Sequence, residues 1–478
     1  MLRNSYPLLL ANQPQQPNAA LAVTNKYLGV TAAHVAQADE TLMDRAIGLA
    51  HDAARAMREI PAHARRDVLA HVAARLGQRS DEFAHVLAVE AGKPIRDARG
   101  EIARAQDTFR VASEEATRIS GQWLPLDISP RSERCEGILR RFAVGACGFI
   151  TPFNFPLNLA AHKIAPAIAA GCPWVLKPAS YTPISAILLG EILAETDLPR
   201  GAFSILPCPA RVGQRLATDD RIRLLSFTGS PETGWALREK APRKRVTLEL
   251  GGNAACIVDE RVDLDHVAER ITFGAFYQSG QSCISVQRVL IHRSAYDALK
   301  HKLIERAVSL KSGDPLKDDT FLGPLISESD AIRLEAWVSE ACAAGARVLC
   351  GGRRNGAFFD ATLLENVAAT QKISCVEAFG PVATLTPFDD FAQAVTIAGE
   401  SAYGLQCGVF TRDLNHVMLA FNELEVGGVI INDVPSFRVD SMPYGGVKMS
   451  GVGREGVRFA IEEMTEPRLM VIRGEMRR

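Results

Sequence analysis

The sequence predicts an α/β protein with a doubly wound first domain and a second α/β domain, and three observations carry that expectation. At 478 residues, the chain exceeds the size at which one hydrophobic core usually keeps growing, so two large domains are expected. Short apolar runs alternate with helical stretches from about residue 147 onward, the pattern of parallel strands covered by helices. The alternation starts afresh after Glu249, which divides it in two.

Composition narrows the function classes. Hydrophobic residues make up 47% and charged residues 23%, and 54 Lys and Arg nearly balance 55 Asp and Glu, for a formal charge of -1. A chain so balanced is not built around a nucleic-acid surface. The ten cysteines form neither a CxxC pair nor Cys/His spacing of the zinc type, so free thiols, a reducing cytoplasm and no metal are expected. The leucine run at 8–10 is too short for a signal-peptide core, and no apolar stretch reaches membrane-spanning length.

Taken in order, residues 42–120 carry apolar residues at helical spacing, as in Val68, Leu69, Val72 and Leu76, with only Pro61 and Pro94 as breaks. About three amphipathic helices are predicted there. From 123 to 144 the helical spacing is lost and Ile138, Leu139, Arg140, Arg141 and Phe142 suit an extended hairpin, an arm rather than core. Strands are then predicted at 147–150, 174–176, 203–206 and 224–227, followed in the second domain by 255–258, 289–291, 347–349 and 429–431. No repeat, low-complexity tract or charge block interrupts the pattern.

Chemistry concentrates in a few runs. Cys283 sits in a small, polar loop after the helix-like run 271–276, a setting where function collects, although a free cysteine is more often simply packed. Glu249 stands between Leu248 and Leu250 and before Gly251 and Gly252; it is either a strand-end carboxylate facing a cleft or an edge residue facing water. Asn154, in a proline-bounded turn after a strand, is either a turn residue or an amide donor aimed at a developing oxyanion. Lys177 ends an apolar strand, where it either faces the ligand crevice or caps the strand in solvent. The run from Phe227 through Gly229, Ser230 and Thr233 to Gly234 offers backbone N–H groups to a phosphate, or is a bare turn. The GxGxxG string from Gly451 to Gly456 follows no strand and reads as a turn into the last helix.

Taken together and in order, these runs resemble the aldehyde dehydrogenase superfamily over nearly the whole chain. The residues that carry the resemblance are Asn154, Lys177, Gly229, Glu249, Gly251, Gly252, Cys283, Glu377, Phe379, Gly380 and Pro381, then Pro443, Gly445, Gly446, Lys448, Ser450 and Gly451. It implies an α/β fold with a Rossmann-like cofactor domain (1–120 and 144–250), an α/β catalytic domain (251–455) and a small β oligomerisation arm (121–143 and 456–478). It further implies NAD or NADP as coenzyme and oxidation of an aldehyde to the acid.

By the same resemblance, Cys283 adds to the carbonyl, Asn154 and the Cys283 N–H hold the oxyanion, and Glu249 activates the hydrolytic water. Lys177, counted with the catalytic set, and Ser180 address the adenosine ribose, Glu377 the nicotinamide ribose, and Phe379 the nicotinamide ring. Gly229 and Ser230 lie by the pyrophosphate, and Thr151, Pro152, Phe153, Phe227, Thr233, Leu250 and Gly251 complete the coenzyme site. Phe155, Ser282, Arg104 and Arg438 border the substrate funnel.

Some positions depart from the family pattern. Serine at 180 stands where many NAD-specific members carry glutamate, leaving coenzyme choice open, and Cys208 replaces a common glycine. The segment from Phe437 to Tyr444 resembles the branch of lactaldehyde, phosphonoacetaldehyde and non-phosphorylating glyceraldehyde-3-phosphate dehydrogenases, but Ser282 replaces the arginine expected of the last. An Arg104 and Arg438 pair would suit a small, polar or anionic aldehyde. Coenzyme-A acylation or another Cys acyl transfer, and a non-catalytic binding protein on the same scaffold, are the alternatives. The arm implies a homodimer or homotetramer.

Overall fold

A computed structural model describes residues 2–17 and 19–474. Residues 475–478, which the sequence reading assigned to the arm, lie outside the described residues.

Two large sheets organise the molecule. The first has eight strands in the order Gly451–Val452, Arg245–Glu249, Leu224–Thr228, Cys147–Ile150, Trp174–Lys177, Phe203–Ile205, Leu8–Leu10, Gln13–Gln15. Its five central strands run parallel, and the order reverses between Cys147–Ile150 and Leu224–Thr228. In such sheets ligands bind outside the carboxyl ends of the strands at that reversal. The second sheet has seven strands in the order Arg347–Cys350, Thr362–Glu365, Val382–Phe388, Val286–His292, Ala254–Val258, Gln406–Phe410, Gly428–Ile431, all parallel except the first. Every strand predicted from an apolar run is present.

The helical segment contains four helices, Glu40–Glu59, Ala62–Gln78, Ser80–Ala91 and Ile95–Glu115, rather than about three. Pro61 and Pro94 stand immediately before the second and fourth, where a missing N–H costs nothing. Gly92 ends the third in a left-handed conformation. Helix Pro156–Ala170 is buried along its whole length, as its apolar composition requires.

The extended segment after residue 120 forms Gln122–Pro125 and Cys135–Ala143, and Thr465–Arg473 joins them in a three-stranded antiparallel sheet. Five short strands between Ser5 and Ala36 went unpredicted; Leu8–Leu10 among them extends the first sheet. The GxGxxG string does lead into the last helix, Val457–Glu463, but Gly451–Val452 also pairs antiparallel with the end of Arg245–Glu249. No helix among the described residues is long and apolar enough to cross a membrane.

Candidate active site

The chain passes from the first sheet to the second through Leu250–Asn253, the four residues between strands Arg245–Glu249 and Ala254–Val258. The carboxyl ends of the first sheet's strands therefore face the amino ends of the second sheet's strands. A cavity of about 450 Å³ lies there, lined from one side by Asn154, Gly229 and Glu249 and from the other by Cys283, Glu377 and Phe379.

Cys283 is delivered by a contorted loop. Helix Leu264–Phe276 ends at Tyr277, and Gln278, Ser279 and Gly280 then adopt left-handed φ values of 55°, 54° and 68°. Such a conformation costs about 1–3 kcal/mol at a non-glycine residue. Three hydrogen bonds hold it: Gln278 N donates to Asp97 Oδ2 at 3.1 Å, Gln278 Nε2 to the Asn154 carbonyl at 2.6 Å, and Ser279 Oγ to the Gly323 carbonyl at 2.8 Å. A side chain on Gly280 would strike the Gly380 carbonyl. The loop leaves Cys283 half-buried with Sγ 3.1 Å from the Tyr444 hydroxyl. Burial pushes its thiol up to about 12, against the pull of that hydrogen bond.

Glu249 is the last residue of its strand and is 3% exposed, and neither carboxyl oxygen has a hydrogen-bond partner among the described residues. The strand-end reading therefore holds and the water-facing one does not. Burial, then repulsion from Glu455, raises its pKa well above the usual carboxylate range, with Arg438, Lys163 and Arg454 opposing. Asn154 is buried on the same cavity; its Nδ2 donates to the Gln281 carbonyl at 3.0 Å while Oδ1 has no partner among the described residues. Phe155 and Ser282 also line the cavity, and Ser282 Oγ accepts from the Tyr277 hydroxyl at 2.6 Å.

The first sheet's reversal point is shaped for a phosphate-bearing ligand. Gly229 follows strand Leu224–Thr228, and Ser230 caps helix Pro231–Glu239 by accepting from Thr233 N. Helix N-termini of this kind attract anions. A Cβ on Gly229 would meet the Phe227 ring, and one on Gly251 would meet the Glu377 carboxylate, so bare backbone lines the crevice. Glu377 Oε1 accepts from Gly252 N at 2.8 Å, and burial pushes this carboxyl up to about 7. Phe379 has a left-handed φ of 48° and packs edge-on to Phe153 at 5.7 Å between centroids. Pro152, Phe153 and Leu250 complete this wall.

A second cavity of about 410 Å³ lies alongside, lined by Lys177, Phe227, Thr233 and Lys240, and Glu232 borders both. Lys177 is nearly buried, donates only to the Pro178 carbonyl at 3.1 Å, and has no carboxylate partner among the described residues. Burial lowers its pKa, the state of a cation whose counter-charge would come from a ligand. Together the two cavities, the exposed backbone amides and this cation fit a dinucleotide. Thr151 and Ser180 line neither cavity; Thr151 is buried with its hydroxyl unpartnered, and Ser180 is half-buried.

Both predicted arginines reach the first cavity, but neither is free. Arg104 Nη2 lies 3.2 Å from Asp440 Oδ1, and Arg438 Nη2 lies 3.2 Å from Glu455 Oε2. Each keeps a buried Nε without a partner among the described residues. Asp440 also meets His162 Nε2 at 2.8 Å and Glu455 meets Lys163 Nζ at 2.9 Å. Although burial opposes it, Lys163 and Arg438 hold Glu455 down to about 2. Arg110, on the same helix as Arg104, points to solvent and pairs with Asp107 and Glu114.

Sequence reasoning missed two aromatic residues. Tyr444 touches the Cys283 sulfur, and Tyr277 fixes Ser282 beside it. Tyr277 had a signal, since it stands at the junction between the predicted helix and the cysteine loop.

A model of the aldehyde dehydrogenase family matches residues 13–470. The chain belongs to that family. It is 42% identical over 468 residues to the 3-sulfolactaldehyde dehydrogenase of Priestia aryabhattai, covering 98% of each chain. Aldehyde dehydrogenase 21 from Physcomitrella patens, solved with the reaction product succinate, superposes with a TM-score of 0.98 at 49% identity, covering 99% of both chains. The NADP-complexed glyceraldehyde-3-phosphate dehydrogenase GapN from Methanocaldococcus jannaschii superposes with a TM-score of 0.92 at 36% identity, covering 96% of this chain and 100% of that one. The expected fold, a Rossmann-like cofactor domain with an α/β catalytic domain, is thus the fold found, and this aldehyde dehydrogenase is an oxidoreductase that uses NAD or NADP.

Proposed function

We propose that this aldehyde dehydrogenase oxidises a short aldehyde carrying a carboxylate, sulfonate or comparable anion, and that it releases the free acid. The observation that carries the reading is the cavity itself: Asn154 and Glu249 face Cys283 across it, and the same space is reached by Arg104 and Arg438, each with a buried Nε that has no partner among the described residues. A buried donor without an acceptor is costly, and an anionic substrate group would satisfy both. The related 3-sulfolactaldehyde dehydrogenase and the succinate-bound aldehyde dehydrogenase 21 act on ligands of that kind by their names.

In this reading the Cys283 sulfur bonds to the carbonyl carbon and the carbonyl π pair moves onto oxygen. The free Asn154 N–H and the Cys283 backbone N–H stabilise the resulting oxyanion. The nicotinamide, when bound, supplies the hydride acceptor. Glu249 then takes a proton from water as that water attacks the Cys283 thioester carbon; the C–S bond breaks, the thiol is restored and the acid leaves. Gly229, Ser230, Thr233 and Glu377 hold the coenzyme with Thr151, Pro152, Phe153, Phe227, Leu250, Gly251 and Phe379, while Lys177 and Ser180 take its adenosine end. Acylation of coenzyme A would not need a carboxylate beside the sulfur, so Glu249 argues against it, and a non-catalytic scaffold would not need the set.

The domain boundaries at residues 120, 144, 250 and 455 stand as part of this reading, as does assembly into a homodimer or homotetramer in the cytoplasm. The outer strand Thr465–Arg473 exposes Leu469, Met470, Val471 and Ile472, and Trp123 lies exposed on the same sheet. Edge strand Gly428–Ile431 lies beside a helix that exposes Leu414, Met418 and Phe421. One copy's arm covering another's edge would bury both.

The test follows absorbance of reduced nicotinamide with succinate semialdehyde, other short anionic aldehydes and propanal, with and without coenzyme A. Reduction should favour the anionic aldehydes and ignore coenzyme A; equal rates with propanal, or dependence on coenzyme A, would contradict the reading.

A further inference from the structure

Tyr444 places its hydroxyl within hydrogen-bond reach of the reactive sulfur, and its environment defines what it offers. Its hydroxyl lies 3.1 Å from Cys283 Sγ, the residue is 3% exposed, and the Arg438 guanidinium lies 3.6 Å from the ring centroid on one face. Burial, reinforced by the charges of Cys283 and Glu249 and opposed by Arg438, holds the phenol's pKa well above its ordinary value. The group therefore keeps its proton, and the one thing it can give an ionised sulfur is a hydrogen bond. Four groups face the thiol: Glu377 and Glu249 disfavour its ionisation, while the Tyr444 hydroxyl and Arg438 favour it. Of the two favourable groups, only Tyr444 touches the sulfur.

We propose that Tyr444 is a catalytic residue whose hydroxyl donates a hydrogen bond to the Cys283 sulfur and stabilises the attacking thiolate, with Arg438 polarising the phenol from the face of its ring. This rests on the reading of Cys283 as the nucleophile. The thiol proton leaves to solvent water in the cavity, and the Tyr444 O–H bond is not broken. When the C–S bond forms, the negative charge passes to the carbonyl oxygen at Asn154, and the hydrogen bond to sulfur relaxes. Arg438 then has two duties, one toward the substrate anion through Nε and one toward the phenol through its plane, which accounts for an arginine buried against an aromatic ring beside the catalytic centre.

The experiment is alkylation of the full-length enzyme by iodoacetamide over a pH series, with the labelled cysteine identified by peptide mass spectrometry and residual activity read in parallel. Tyr444→Phe should slow Cys283 alkylation about tenfold near neutral pH, the size expected for losing a hydrogen bond to a charged group, and move the midpoint of the profile upward. Replacing Tyr444 with 3-fluorotyrosine, a stronger donor of nearly the same shape, should move the midpoint downward. Profiles unmoved by both replacements overturn the proposal. Activity that survives complete alkylation of Cys283 in the unmodified enzyme contradicts the nucleophile reading instead, so the two failures are separable.

Discussion

Gly451 lies directly across from Glu249 in the antiparallel pair that ends the first sheet. A side chain at 451 would strike the Leu248 carbonyl, and one at Gly445 would meet the Glu249 carboxyl itself. The glycine-rich string near the C-terminus thus closes the wall behind the carboxyl rather than holding a dinucleotide, and Glu249 is left buried with nothing to bond.

Glu249→Gln should separate the two half-reactions. Hydride transfer needs no base at this position, so the variant should give a burst of reduced nicotinamide of about one equivalent per site and then stall, with steady-state kcat down at least about a hundredfold. Stopped-flow absorbance checks it. Stability supplies an independent readout. Because the folded-state pKa of Glu249 lies above its unfolded value, the protonated form is favoured by folding, and stability falls as pH rises from the unfolded pKa toward the folded one. The amide removes that loss, so its Tm should exceed that of the parent enzyme above neutral pH, by a margin that shrinks at acid pH.

Arg104→Ala should discriminate between substrates. With one of two donors to the substrate anion removed, kcat/KM for succinate semialdehyde should fall about ten- to a hundredfold, while that for propanal should hardly change. Arg438 still faces Asp440, so circular dichroism should match that of the parent enzyme, while Tm should fall because a buried carboxylate loses its ion-pair partner. An unchanged kcat/KM for every anionic aldehyde would remove the anionic substrate class.

Ser180→Glu tests the adenosine end. A carboxylate there would repel a 2′-phosphate, so kcat/KM with NADP should fall about tenfold or more while that with NAD changes little. Steady-state kinetics with both coenzymes give the ratio directly; a parallel change in both would place the residue away from the ribose.

Leu469→Asp with Met470→Asp places one charge on each face of the outer arm strand, both of which are exposed. If that strand meets another copy, sedimentation velocity should show a shift toward smaller species, since like charges buried in an interface are strongly unfavourable. An unchanged sedimentation coefficient would mean the arm is not the contact.

What the sequence made legible follows physical range. Strands such as Leu224–Thr228 and Ala254–Val258 are short, largely apolar and buried, and their local composition suffices to find them. The N-terminal strand Gln13–Gln15 is wholly exposed and polar, held only by backbone pairing to Leu8–Leu10, so no periodicity announces it. In the site, Cys283, Glu249 and Asn154 were found as members of an ordered set, and all three face one cavity. The contact between Tyr444 and Cys283 joins positions far apart in the chain, and no spacing rule reaches across such a gap. The internal carboxylates on Arg104 and Arg438 were likewise invisible, because Asp440 and Glu455 sit in a stretch whose turn chemistry dominates its reading.

The most direct test of the central claim is intact-protein and peptide mass spectrometry of the Glu249→Gln enzyme after mixing with succinate semialdehyde and NADP. The account predicts an acyl adduct on Cys283, formed in step with one equivalent of reduced nicotinamide and absent from Cys283→Ala. An adduct on another cysteine, or reduction of nicotinamide by the Cys283→Ala enzyme, would contradict it.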